Sequence, residues 1–104
     1  MSLNYSAEDM KLERRPTGRI ELHLSDDAEQ FVRLAESVRA NLNGRWMKQL
    51  DGLDQSYWDL DVRGKVLTVH REHYLGVSVL CEDDQEAIVV MEQLKRDFEA
   101  QQAK

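Results

Sequence analysis

The chain has 104 residues, 41% hydrophobic and 33% charged, with 20 Asp+Glu against 14 Lys+Arg for a net charge of −6. That length makes one domain able to fold alone, and the composition excludes disorder over most of it. The acidic balance disfavours general binding to phosphate backbones, and no apolar run approaches the roughly 20 residues of a membrane-spanning helix. One cysteine cannot make an internal disulfide, and the opening MSLNYSAEDM has no apolar signal core, so the expected location is cytoplasmic.

Residues 1–17 mix charges without period and end in Arg14-Arg15-Pro16-Thr17, which reads as a flexible leader before a single α+β domain over 18–104. Residues 19–24 alternate, with Ile20, Leu22 and Leu24 on one face, and predict a half-buried strand. Ser25 supplies a helix-capping oxygen, and Asp26 and Asp27 suit the positive end of a helix dipole. Ala28, Phe31, Ala35, Val38 and Leu42 then recur at helical spacing, with Val32 and Leu34 beside them, until Asn43-Gly44 stops the helix.

From Arg45 to Glu82 the period changes towards two. Turn residues at Asp51-Gly52, Arg63-Gly64 and Tyr74-Leu75-Gly76 divide this stretch into strands over about 45–50, 56–62, 65–73 and 77–82. A two-residue turn at Arg63-Gly64 sets Leu60 opposite Leu67 and Trp58 opposite Val69. A three-residue turn over 74–76 pairs His73 with Val77, Arg71 with Val79 and Val69 with Cys81, and sets His70 opposite Leu80. A second helix starts at Asp83, which has the capping-box spacing to Glu86. It buries Ala87, Met91, Leu94 and Phe98 and frays after Glu99. The order is β-α-β-β-β-β-α: an antiparallel sheet with two helices packed on one face.

The residues offer little assembled chemistry. His70 and His73 are three apart on a strand and point to opposite faces, so they do not share a metal ion. Cys81 belongs on the buried face as a small inert hydrophobe. Ser78 is placed opposite Glu72, which is no activation system. A cation site at Asp59, Asp61 and His23 requires the first strand to lie beside Asp59. No catalytic, cofactor or metal residue is therefore assigned.

The sheet face away from the helices carries a row of Tyr57, His70 and Leu80. Trp46 joins it if Asp51-Gly52 makes a tight hairpin that puts Trp46 opposite Tyr57. If the loop is one residue longer, Trp46 pairs with Trp58 in the core, and the area an indole buries favours that arrangement. Exposed aromatic clusters mark partner surfaces, so Trp46, Tyr57, His70 and Leu80 are the candidate interaction surface. Arg71 and His73, the polar end of an otherwise apolar face, are the candidate ligand site.

The segments Asp51-Gly-Leu-Asp-Gln-Ser-Tyr-Trp58, Arg63-Gly-Lys-Val-Leu-Thr-Val-His70 and Glu72-His-Tyr-Leu-Gly-Val-Ser78 resemble a small family of uncharacterised bacterial proteins, a domain of unknown function. The resemblance covers the middle third of the chain and implies a short bacterial protein without an assigned activity. The element order also resembles the repeat unit of TATA-binding proteins and related helix-grip domains, a likeness of fold that says little about function. The expected protein is a non-catalytic interaction module that acts through the open sheet face or an edge strand on a protein partner or, by preference, on a second copy of itself as a homodimer. It binds neither nucleic acid nor membrane. The alternative is a small-ligand binder or weak enzyme with its site near Arg71 and His73.

Overall fold

A computed structural model describes residues 11–102. The fold is α+β, in the element order the sequence predicts, preceded by one short strand. Strands β1 (Leu12–Arg14), β2 (Ile20–Ser25), β3 (Arg45–Asp51), β4 (Gln55–Val62), β5 (Lys65–Glu72) and β6 (Gly76–Cys81) form one sheet. Its order is β1-β2-β6-β5-β4-β3, and every neighbouring pair is antiparallel. Helices α1 (Phe31–Leu42) and α2 (Gln85–Gln102) cover one face.

Strand β1 revises the expected leader. Residues 1–10 of it lie outside the described residues, but Leu12–Arg14 pairs with β2. The intervening Pro16-Thr17-Gly18 makes a tight turn, closed by Arg15 N–H to the Arg19 carbonyl at 2.7 Å. Proline followed by glycine is turn chemistry, so the hairpin had a local signal.

The helix-facing side of the sheet follows the predicted alternation. Ile20, Leu22, Leu60, Val62, Leu67, Val69, Val77, Val79 and Cys81 are buried against Phe31, Leu34, Ala35, Val38 and Leu42 of α1 and Ala87, Val90, Met91, Leu94 and Phe98 of α2. Each fully buried Leu or Val side chain contributes roughly 1.5–3 kcal/mol, which makes this layer the main source of stability. Helix α2 continues through Gln102, beyond the expected fraying point at Glu99.

Several local details differ from expectation. A 3-10 turn, Ala28–Gln30, precedes α1, and its cap is Asp27, whose carboxylate accepts from Glu29 N–H at 3.0 Å. Ser25 instead accepts from Asp27 N–H. Asn43, rather than Gly44, takes the left-handed position after α1, with φ of 54°. The cap of α2 is Asp84, which accepts from Ala87 N–H at 3.0 Å. Asp83 is paired with Arg14 instead.

The β4–β5 hairpin has the predicted register, with Leu60 opposite Leu67 and Trp58 opposite Val69. Arg63 and Gly64 both have positive φ, 52° and 86°, as a two-residue mirror-image turn requires. The β5–β6 turn lies one residue earlier than predicted, over His73-Tyr74-Leu75, so Val69 meets Val79, Arg71 meets Val77 and His70 meets Ser78. The two-residue slip leaves every side chain on its expected face. Gly76 ends this turn with φ of 105°, and a Cβ there would lie 1.9 Å from the Ser25 carbonyl oxygen. Only glycine fits where β6 meets the end of β2 so closely.

Candidate functional site: the open sheet face

The alternation that buries Val69 and Val79 turns His70 and Ser78 to the opposite face, which no helix among the described residues covers. One transverse row there runs Leu50, Tyr57, His70, Ser78, His23 across β3, β4, β5, β6 and β2. Leu80 lies in the next row, between Glu21 and Thr68, and not beside His70 as predicted. Residues of β1, β2, β4, β5 and β6 line a groove of about 610 Å³ over this face, with Tyr57, His70, Ser78, Leu80 and His23 among its walls. Tyr57, His70 and Leu80 are thus brought together on one surface.

Trp46 is not part of it. The β3–β4 register places Trp46 opposite Leu60, with a bulge between Trp46 and Lys48. Its indole packs edge-on against Trp58, ring centroids 5.4 Å apart, and Trp58 in turn packs edge-on against Phe31 at 4.7 Å. Trp46 is therefore removed from the candidate interaction surface to the helix side. The bulge accounts for both outcomes: it turns Trp46 inward while leaving Leu50 opposite Tyr57 on the open face. Neither arrangement considered for this loop contained a bulge.

Two side-chain systems occupy the row. The Tyr57 and His70 rings stack, centroids 4.4 Å apart and planes 8° from parallel. Gln55 Oε1 accepts from Tyr57 O–H at 2.5 Å and contacts His70 Nε2 at 3.0 Å. An amide oxygen only accepts, so His70 carries its proton on Nε2. Burial lowers the His70 pKa; Glu72 and Glu21 oppose that shift, and Arg19 and Arg15 add to it. The ring is thus neutral near pH 7.

The second system was not predicted. His23 Nδ1 lies 3.1 Å from Ser78 Oγ, and His23 Nε2 lies 2.7 Å from Asp26 Oδ1. Sequence reasoning missed it because the place of β2 in the sheet was not derivable and Asp26 was assigned to a helix start. The His-x-x-Asp spacing at a strand end was the available signal. Beyond Leu80, Thr68 donates to Asp59 at 2.7 Å and accepts from Arg19 Nη2 at 3.3 Å, while Arg15 pairs with Glu21 at 2.8 Å.

Three strand spacings of about 4.8 Å separate β2 from β4, so His23 stands roughly 14 Å from the Asp59 strand and the cation arrangement considered above does not form. Among the described residues, no group of three or more His, Cys, Asp and Glu side chains is placed to hold a metal ion.

Arg71 and His73 do meet. They line a depression of about 530 Å³ at the mouth between α1 and the sheet, together with Phe31, Ser56 and Trp58. Arg71 is heavily engaged there: Nε donates to Ser56 Oγ at 3.2 Å and Nη2 to the Gly52 carbonyl at 3.0 Å. It fastens the β3–β4 loop to β5.

No protein-family model matches the chain, and no curated protein or solved structure matches it either. Among the described residues, no helix is long and apolar enough to cross a membrane.

Proposed function

We propose that the chain is a protein-interaction module that self-associates through the open sheet face, at the corner where the β3–β4 and β5–β6 loops adjoin. One observation carries the reading: five large apolar side chains are exposed in this corner, Leu53 at 96%, Tyr74 at 85%, Leu75 at 63%, Leu50 at 52% and Tyr57 at 38%. Leu50 and Tyr57 are cross-strand partners, and His73 N–H to the Asp54 carbonyl ties the two loops together at 2.8 Å. Contiguous exposed apolar surface rimmed by polar groups is characteristic of a docking site.

A second copy of the chain is the partner that suits it. A two-fold interface sets a patch against itself, and an apolar patch is self-complementary even on a chain with a net charge of −6. A bacterial cytoplasmic protein without a nucleic-acid partner, related to the family that residues 51–78 resemble, belongs to this same reading. Light scattering on the full chain tests it: a dimer is expected, and Leu53→Lys with Tyr57→Lys shifts it to monomer. A protein that is monomeric at every attainable concentration refutes the proposal.

The second reading is a small-ligand site in the depression that gathers Arg71, His73, Phe31 and Trp58. Stabilisation by a common metabolite in a thermal-shift screen, lost in His73→Ala, supports it; a screen without stabilisers removes it.

A further inference from the structure

We propose that Ser78 is a nucleophile towards activated esters, with His23 as its general base and Asp26 as the residue that positions the imidazole. This goes beyond the association proposed above and is argued from other side chains, although the groove shares Tyr57 and Leu75 with that association corner. The order carboxylate, imidazole, hydroxyl is continuous, at 2.7 Å and 3.1 Å. The Asp26 carboxylate only accepts, so it fixes the proton of a neutral His23 on Nε2 and leaves the Nδ1 lone pair facing the Ser78 hydroxyl. That is the tautomer a base needs. Ser78 is itself only 6% exposed, yet it lines the groove, so its oxygen is the part a bound molecule meets.

The surroundings set the substrate class. Strand β6 is paired on both sides, with β2 and with β5, so its backbone N–H groups serve the sheet and build no oxyanion hole. Only an ester with a good leaving group reacts under those conditions. The stacked Tyr57–His70 pair, with Leu75 and Leu80, gives one side of the groove a flat and apolar wall that suits an aryl group, while Arg15, Arg19, Glu21 and Glu72 line the rest. The substrate class is therefore a small aryl ester. Ser78 Oγ bonds to the acyl carbon while its proton passes to His23 Nδ1. The carbon–oxygen bond to the aryl group breaks and the aryloxide leaves, taking the proton from His23 or from solvent. Water then cleaves the Ser78 ester slowly and releases the acid.

The test uses the full chain and two probes, p-nitrophenyl acetate and an alkyl fluorophosphonate. The second forms an oxygen–phosphorus bond at the nucleophile and expels fluoride. Intact mass and peptide mapping of the native protein are expected to show one adduct, on Ser78. His23→Gln should slow labelling about 100-fold, the low end of what a positioned base contributes. Asp26→Asn should slow it by less, because Asp26 acts through the ring. Melting curves establish that each variant is folded, and mapping on the unaltered chain needs no variant. An adduct on another residue, no adduct on the native protein, or an undiminished rate in folded His23→Gln overturns the proposal.

Discussion

Cys81 shows how much one side chain's surroundings decide. It is completely buried on the helix side of β6, and burial pushes its thiol pKa up to about 11. An exposed thiol titrates near about 8.5. The folded chain therefore holds this proton to higher pH than the unfolded chain does. The associated stability is whole below about pH 8.5 and is lost as pH rises towards 11. Burial against the helices is the cause of the shift, and linkage turns it into this pH dependence. Melting temperature should thus fall more steeply between pH 9 and 11 in the natural chain than in Cys81→Ala; parallel curves would contradict this account. The buried character of Cys81 was legible because strand alternation alone places it with Val77 and Val79. His23 was not legible in the same way, because its neighbours come from a strand more than fifty positions away, and no local pattern says which strand that is.

At the level of elements, the start of α2 separates two adjacent aspartates. Asp84 caps the helix and Asp83 does not. The hydrogen bond from Ala87 N–H, with Lys65 at 3.1 Å, holds the Asp84 carboxyl below its ordinary pKa. A lowered carboxyl pKa stabilises the fold above the ordinary value and ceases to as pH falls through the folded one. Asp84→Ala should therefore lower the melting temperature near neutral pH, by more than Asp83→Ala does, and the gap should close in acid. Equal losses for the two variants would show that the cap is misassigned. The sequence offered both residues and favoured Asp83 on its spacing to Glu86; the choice was made by Lys65, which reaches Asp84 and Glu86 from the end of β5. The hairpins divide along the same line. Arg63-Gly64 fixed its register locally because both residues adopt positive φ. The bulge at Met47 answers to the demand for Trp46 against Trp58 and Phe31, which acts across the sheet and leaves no periodic trace.

In the whole molecule, the four strands β3 to β6 follow one another in space as they do in sequence, joined by short turns. Strand β2 is different. Ile20 pairs with Cys81, so this seam forms only when distant parts of the chain meet, and it closes a loop that holds α1 and strands β3 to β5. Beyond β2, among the described residues, lies only the three-residue β1. Native-state hydrogen exchange should therefore find β1 and the β2–β6 ladder opening at lower free energy than the β4–β5 ladder; equal protection throughout would refute this ordering. The contact between His23 and Ser78 spans that same seam. The arrangement around Ser78 thus has a lifetime of its own, set by how often the seam parts, and it can dissolve and re-form while the meander beneath it stays folded.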